Sequence, residues 1–217
     1  MRLNRTIDHT LLKPEATTLM IEKLCQEAIK YQFKSVMVNS GWVKFCKDLL
    51  RDEPDVLVGC TIGFPLGACS SEVKAFEAQQ AIYDGADEID MVINIGALID
   101  EDYDKVVDDI LAVKKVCGDI CLKVIIETCL LNEKQKRAAC ECINRAFPNF
   151  IKTSTGFSSY GATVADVKLL REYTDSRIEV KAAGGVRCKE DALAMLEAGA
   201  TRLGTSSGVN IMLEDAK

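Results

Sequence analysis

The chain has 217 residues, of which 48% are hydrophobic, and its formal net charge is −6 at pH 7. This length supports one substantial core, so we expect a single domain over residues 1–217. The negative charge and the scattered lysines and arginines argue against a nucleic-acid surface. No segment approaches the roughly 18 consecutive apolar residues of a membrane-spanning helix, and the N-terminal residues have no signal-peptide core. The composition therefore predicts a soluble cytoplasmic protein whose partner is a small molecule.

The sequence offers few groups of the kind that hold a metal ion. It contains ten cysteines but only one histidine, His9, and no C-x-x-C pair occurs. Structural zinc sites need such closely spaced thiolate and imidazole ligands. The cysteines fall in apolar strands and helical patterns, which favours reduced thiols that pack as small buried side chains. We therefore predict neither a metal site nor a cofactor.

Eight short runs rich in β-forming residues alternate with segments of helical periodicity. They lie near residues 4–9, 35–39, 56–62, 87–93, 120–127, 149–154, 177–182 and 201–205. Two of the helices are expected to end at Gly85 and Gly199, because glycine readily adopts the left-handed conformation that closes a helix. Eight such units without a hairpin signal predict an α/β fold, the (β/α)8 TIM barrel. The alternative is an open doubly wound sheet, but no G-x-G-x-x-G turn follows the first strand.

Charged residues recur on one face of four successive predicted strands. Side chains alternate between the two faces of a strand, so residues two apart share a face. The polar faces carry the pairs Glu88 and Asp90, Lys123 and Glu127, Lys152 and Ser154, and Glu179 and Lys181. The other faces are apolar, as expected where helices cover the outside of a barrel. The pattern predicts that Asp90, Lys123, Lys152 and Lys181 point into one shared space.

The three lysines of these strands follow one another at intervals of 29 residues. Ammonium groups on neighbouring strands repel each other by about 3 kcal/mol at an effective dielectric near 20, enough to lower one pKa. A neutral amine can attack a carbonyl and form an iminium, the electron sink of aldol chemistry, with Asp90 as a general acid and base. This reasoning does not choose among the lysines. The alternative is that each lysine only pairs with a carboxylate inside the barrel.

Glycine and hydroxyl residues follow the last two predicted strands. The seventh strand is followed by AAGGVR at 182–187, and the eighth by GTSSG at 204–208. The corresponding loops of barrels commonly bind phosphate through backbone N–H groups and hydroxyls. Either cluster alone is weak evidence for a phosphate site, because turns often contain glycine for its backbone freedom alone. Together they favour a phosphorylated substrate.

The chain resembles the deoxyribose-phosphate aldolases in seven motifs that follow one order along nearly its whole length. They are IDHTLLKP at 7–14, TIGFPLGA at 61–68, GADEIDMVINIGAL at 85–98, LKVIIET at 122–128, FIKTSTGF at 150–157, KAAGGVR at 181–187 and GATRLGTSSG at 199–208. The resemblance implies a class I aldolase that interconverts 2-deoxy-D-ribose 5-phosphate with D-glyceraldehyde 3-phosphate and acetaldehyde through a lysine Schiff base. It also implies a homo-oligomer.

The resemblance assigns roles to individual residues. Lys152 would be the Schiff-base lysine, Lys181 the neighbour that lowers its pKa, and Asp90 the proton-transfer acid. Lys123 would belong to the polar network beside Asp90, and Asp8 and Thr155 would help to position the sugar hydroxyls. The phosphate would be held by Gly156, Gly184, Gly185, Gly204, Ser206 and Ser207.

Four features concern positions where members of this family differ or where another role is conceivable. Met37 stands where many members have cysteine, which should alter packing near the aldehyde. Phe157 stands where some members carry a phosphate-contacting lysine, and the final LEDAK contains no tyrosine for a proton shuttle. We expect His9 to satisfy a core hydrogen bond or to order Asp8 rather than to act as the base.

Two other functional classes fit a barrel with a phosphate site. A phosphosugar isomerase or epimerase would abstract a proton with a carboxylate and form no covalent intermediate. A non-catalytic sugar-phosphate-binding protein would release no aldehyde. The paired lysines argue against simple binding, because an anion site gains nothing from an amine of lowered pKa.

Overall fold

Eight parallel strands form a closed barrel in the computed structural model, which describes residues 2–213. The strands are β1 (Ile7–Thr10), β2 (Ser35–Asn39), β3 (Leu57–Ile62), β4 (Glu88–Val92), β5 (Cys121–Ile125), β6 (Phe150–Lys152), β7 (Glu179–Ala183) and β8 (Arg202–Thr205). Each strand pairs with the next along the chain, and β8 pairs with β1. The (β/α)8 barrel is therefore confirmed. The expected domain limits at residues 1 and 217 and the tyrosine-free LEDAK end reach outside the described residues.

Helices cover the outside of the barrel. They are α1 (Thr18–Tyr31), α2 (Val43–Leu49), α3 (Ser71–Tyr83), α4 (Ile95–Ile99), α5 (Tyr103–Cys117), α6 (Glu133–Ala146), α7 (Val164–Tyr173), α8 (Lys189–Glu197) and α9 (Gly208–Leu213). Their inner faces pack on the outward apolar side chains of the strands, such as Ile89, Val124 and Val180, which are fully buried. Six of the ten cysteines are buried as well, which agrees with their expected use as small apolar side chains.

The strand predictions are accurate to within two residues at the start of every strand except the first. The segment predicted to begin at residue 4 starts instead with a 3-10 turn over Leu3–Thr6. Its polar side chains make local and capping hydrogen bonds: Thr6 Oγ1 donates to Leu3 O at 2.7 Å, and Asn4 Nδ2 donates to Tyr31 O at 3.0 Å. These bonds compete with strand pairing, so β1 begins only at Ile7.

The predicted helix ends are confirmed at both glycines. Gly85 has φ +104° and Gly199 has φ +113°, values that side chains rarely tolerate. Ala86 N then donates to Ala81 O at 2.9 Å, and Ala200 N donates to Met195 O at 3.0 Å. Each bond joins an N–H to the carbonyl five residues earlier, and it satisfies a carbonyl that would otherwise be unpaired at the end of the helix.

The register of the strands places the charged residues side by side. Asp90 pairs with Lys123, and Lys152 pairs with Lys181. One expectation about this face is wrong: Glu179 does not reach the interior. It is exposed at the first position of β7, where its carboxylate accepts from Thr201 Oγ1 at 2.5 Å. Strand alternation predicts which face of β7 carries Glu179. It does not predict burial, and as the first residue of the strand Glu179 lies at the end of the barrel, where its side chain is exposed.

Candidate active site

Asp90 lies at the centre of the predicted charged cluster. Its Oδ2 accepts from Lys152 Nζ at 2.8 Å and from Lys181 Nζ at 2.8 Å, and its Oδ1 accepts from Lys123 Nζ at 3.0 Å. Asp90, Lys123 and Lys181 are fully buried, and Lys152 is 3% exposed. The structure thus brings together the four residues that strand alternation selected. Pairing with a carboxylate, the alternative for each lysine, occurs in the same cluster.

A second set of ion pairs lies beneath this one. Lys123 Nζ also donates to Glu88 Oε2 at 2.7 Å, and Lys181 Nζ donates to Asp8 Oδ2. Arg202 joins the two carboxylates, donating to Asp8 Oδ1 at 2.8 Å and to Glu88 Oε2 at 3.0 Å. Sequence reasoning missed Arg202. Its signal was the alternation in ATRLGTS, where it shares a strand face with Gly204.

The side-chain environment separates the three lysines. Burial lowers the pKa of Lys152 to about 8, where the attraction of Asp90 opposes the fall and the repulsion of Lys181 adds to it. Burial acts in the same direction on Lys123, but Asp90 and Glu88 outweigh it and raise the pKa of that lysine. Burial would raise the pKa of Asp90, yet the three lysines hold it well below its usual value. Lys152 is therefore more readily a neutral amine at neutral pH than an ordinary lysine.

A cavity of about 390 Å³ opens at the carboxyl ends of the strands. Within residues 2–213, Lys152 is the member of the charged cluster that lines it, whereas Asp8, Asp90, Lys123 and Lys181 do not. The floor of the cavity thus presents one amine, and the remaining charges lie behind it. Gly204 contributes to this arrangement, because a Cβ there would come within 3.1 Å of Lys181 Cε.

All six residues expected at the phosphate line this cavity: Gly156, Gly184, Gly185, Gly204, Ser206 and Ser207. The first three have φ of +84°, +80° and +80°, conformations that favour glycine. No group in the described part of the chain accepts a hydrogen bond from the backbone N–H of Gly156, Gly185 or Ser206. Unpaired N–H groups converging on a concave wall form a site for an anion.

Backbone packing holds these glycine loops together. A Cβ on Gly161 would lie 2.1 Å from Gly184 O, and one on Gly184 would lie 3.4 Å from Gly156 Cα. Ala162 N also donates to Gly184 O at 2.9 Å. Sequence reasoning did not single out Gly161, since no periodicity marks a glycine that serves a close approach of two loops.

The mouth of the cavity carries two cationic residues and an apolar one. Lys13 and Arg187 line it, the former from the segment after β1 and the latter after β7. Phe157 also lines it, and its ring meets the ring of Phe64 edge to face with centroids 5.3 Å apart. Lys13 belongs to the IDHTLLKP motif, so the motif could have been used to predict that Lys13 lies at the cavity. Its flanking residues Thr10, Leu11 and Leu12 line the cavity too.

Two other predicted residues, Asp8 and Met37, do not line the cavity. Asp8 lies behind the cavity wall, bonded to Lys181, Arg202 and Ser35, so its contacts are with the charged cluster. Met37 is fully buried inside the barrel against Gly59, where a Cβ would lie 2.5 Å from Met37 Cε. Met37 does not line the cavity.

His9 makes a core hydrogen bond, as expected, and its ring does not hydrogen-bond to the neighbouring Asp8 carboxylate. Its Nε2 lies 2.7 Å from Glu27 Oε2, and its ring packs on Phe33 with centroids 4.8 Å apart. Burial lowers its pKa, and Glu27 opposes that effect. The imidazole therefore points towards α1 and away from the cavity.

Within residues 2–213, no three His, Cys, Asp or Glu residues are grouped so as to hold a metal ion. Likewise, no described helix combines the length and apolar character needed to cross a membrane.

The DeoC/LacD family of aldolases has a sequence pattern that matches residues 4–214 of the chain. The chain belongs to this family. It is 58% identical to deoxyribose-phosphate aldolase 1 of Bacillus licheniformis over 97% of this chain and 95% of that protein. Identity to the deoxyribose-phosphate aldolase of Brevibacillus brevis is 55% over 98% of this chain and 96% of the relative.

A solved structure is similar to this DeoC/LacD aldolase over its whole barrel. The tetrameric deoxyribose phosphate aldolase of Aeropyrum pernix superposes with a TM-score of 0.92 at 31% identity, covering 99% of this chain and 91% of that one. The protein is accordingly an enzyme of the aldolase class, a carbon–carbon lyase. Membership in this family disfavours both the isomerase and the non-catalytic binding alternatives.

Proposed function

We propose that this aldolase reversibly cleaves 2-deoxy-D-ribose 5-phosphate to D-glyceraldehyde 3-phosphate and acetaldehyde through a Schiff base on Lys152. One observation carries the proposal: Lys152 is the amine of the cluster that lines the cavity, and its pKa is lowered to about 8. An amine that is both accessible and partly neutral can attack an aldehyde, whereas a fully paired ammonium cannot. The names of the relatives in Bacillus and Brevibacillus support the choice of substrate.

The reaction begins at Nζ of Lys152. The neutral form of this amine attacks the aldehyde carbon C1, and Asp90 Oδ2, 2.8 Å away, relays the proton that the attacking nitrogen releases to the carbinolamine oxygen. Loss of water from the carbinolamine leaves an iminium. Removal of the proton from the C3 hydroxyl then breaks the C2–C3 bond, releases glyceraldehyde 3-phosphate and sends the electron pair into the iminium as an enamine. Protonation at C2 and hydrolysis free acetaldehyde and restore Lys152.

Lys181 and Asp90 act from behind the floor of the cavity. The Nζ of Lys181 donates to the same Oδ2 that accepts from Lys152, so it stabilises the ionised carboxylate and repels a second ammonium. Because Asp90 does not line the cavity, its proton exchange with the substrate passes through Lys152 or a water molecule. Lys123 and Asp8 hold the two residues in place through their ion pairs.

The phosphate of the substrate is proposed to bind the glycine-lined wall. The free N–H groups of Gly156, Gly185 and Ser206 support this, as do the side chains of Ser206 and Ser207 at the cavity surface. Arg187 and Lys13 at the mouth add attraction for an anion. Thr155 is proposed to contact a sugar hydroxyl.

We infer that the enzyme acts in the cytoplasm, on phosphosugar and aldehyde substrates, as a homo-oligomer. The tetramer named for the relative in Aeropyrum supports self-association, and so do Val73, Phe76 and Tyr83, exposed apolar side chains on α3.

Borohydride trapping tests the covalent step directly. The enzyme is mixed with acetaldehyde and sodium borohydride, digested, and analysed by mass spectrometry. We expect an ethyl group on Lys152, because reduction of the iminium gives a stable secondary amine. Modification on another lysine, or none, would refute the assignment and return the isomerase to consideration. Release of acetaldehyde from 2-deoxyribose 5-phosphate, followed by a coupled alcohol dehydrogenase, tests the substrate.

A further inference from the structure

Glu127 is a buried carboxylate beside the cavity that the chemistry above does not use. It follows β5, is 2% exposed, and has φ +53° and ψ +67°. A left-handed conformation is strained for a residue with a side chain, so it persists where surrounding contacts require it. The hydrogen bonds of the Glu127 carboxylate show which contacts hold the residue in this conformation.

Those contacts lead to the cavity wall through Thr155. Backbone N of Thr155 lies 3.2 and 3.4 Å from the two carboxylate oxygens of Glu127, and Thr155 Oγ1 donates to Oε2. Thr155 Oγ1 in turn accepts from Phe157 N at 3.0 Å. The carboxylate thereby holds Thr155, and the hydroxyl of Thr155 in turn holds the backbone of Phe157. Gly156 lies between them, with φ +84° and a backbone N–H that bonds to no described group.

The other side of the same loop is held by neutral bonds to β7. Thr153 Oγ1 donates to Ala183 O at 3.2 Å and accepts from Ala183 N at 3.1 Å. The segment after Lys152 is thus fixed by Thr153 on one side and by Glu127 on the other. Glu127 bonds to both the backbone and the side chain of Thr155, whereas Thr153 bonds to backbone groups of β7.

We propose that Glu127 is a positioning residue, which acts through Thr155 to hold the Gly156 N–H in place for the phosphate of the substrate. The proposal rests on the proposed function. It also fixes the role of Thr155: the hydroxyl hydrogen is donated to Glu127, so the remaining lone pair of Oγ1 can only accept. Thr155 therefore suits a sugar hydroxyl, which can donate, and not an ionised phosphate oxygen.

Two substitutions of Glu127 test this with two substrates. Glu127→Ala should raise KM for 2-deoxyribose 5-phosphate about tenfold and change kcat less than about threefold. With 2-deoxyribose, which lacks the phosphate, kcat/KM should change less than about threefold. Glu127→Gln keeps an acceptor oxygen for Thr155 and should restore KM to within about threefold of the wild type. Glu172→Ala, at an exposed carboxylate on α7, is the control.

A double-mutant cycle with Thr155→Val tests the route. If Glu127 acts through Thr155, the double variant should lose little more than the worse single variant. Equal losses with both substrates, a Gln variant as impaired as the Ala variant, or additive effects would each overturn the proposal. If the wild type releases no acetaldehyde, the proposed function fails. In that case, calorimetry with inorganic phosphate still tests whether Glu127 is a positioning residue. The proposal requires that Glu127→Ala binds phosphate more weakly than the wild type and that Glu127→Gln binds it with near-normal affinity.

Discussion

Lys152 Nζ and Asp90 Oδ2 lie 2.8 Å apart at the floor of the cavity, although 62 residues separate them in the chain. The contact joins the amine that lines the cavity to a carboxylate held ionised by two further lysines. An amine in this setting has a carboxylate within hydrogen-bonding distance for relaying protons, and its pKa is lowered towards neutral pH. Substitutions at Lys152 and Lys181 should therefore change the turnover and its dependence on pH.

Replacing Lys152 should abolish aldol cleavage. Lys152→Arg should leave less than about a hundredth of the wild-type turnover, because a guanidinium stays protonated and forms no iminium. Binding of inorganic phosphate should persist, since the glycine-lined wall is formed by the loops that follow β6, β7 and β8 and not by the Lys152 side chain. Turnover and phosphate calorimetry check both statements, with Lys168→Arg at an exposed position of α7 as the control. Higher residual turnover in the Lys152 variant contradicts a Schiff base at this residue.

Replacing Lys181 should shift the pH dependence of activity. The reactive amine must be neutral, so kcat/KM rises with pH through the pKa of Lys152, which lies at about 8. Lys181→Leu removes a neighbouring positive charge that lowers this pKa, whereas Asp90 continues to raise it. The rising limb should therefore move upward by about one unit, and activity lost at pH 7 should partly return at alkaline pH.

Kinetics from pH 6 to about 10 measure this shift, with the fold of both proteins checked by circular dichroism. A folded Lys181→Leu variant with an unshifted midpoint would mean that burial alone lowers the pKa of Lys152. Lys181 would then serve only to pair with Asp8 and Asp90.

Phe157 should limit the affinity for the phosphate. It lines the cavity next to Gly156 and presents an aromatic ring where a cation would attract the anion. Phe157→Lys should lower KM for 2-deoxyribose 5-phosphate several-fold at low ionic strength and less at high salt. Phe157→Met is the matched control, because it also removes the contact with Phe64 but adds no charge. An equal fall in KM in both variants would exclude an electrostatic cause.

Chelators should leave activity unchanged. The groups that exchange protons and stabilise charge in the proposed mechanism are Lys152, Asp90 and Lys181. Turnover measured before and after dialysis against EDTA should therefore agree. Activity that is lost in EDTA and returns with a divalent ion would require a metal-dependent mechanism instead of a Schiff base.

Local patterns in the sequence determine much of this protein. The period of two in a strand assigns side chains to faces without knowledge of the fold, which is why Asp90, Lys123, Lys152 and Lys181 could be selected together. Helix ends at Gly85 and Gly199 follow from the backbone freedom of glycine, also a local property. The alternation of strands and helices then leads to the closed barrel.

Only the tertiary structure decides how these charges differ. The equally spaced lysines are equivalent in sequence, but the barrel buries Lys123 between two carboxylates and leaves Lys152 at the cavity. Closure of β8 onto β1 brings Arg202 to Asp8, and the turn after β5 brings Glu127 to Thr155. Such pairings join residues far apart in the chain, and the pKa of a buried amine depends on the balance of all its neighbours. That balance is set by distances across the barrel, which no local pattern encodes.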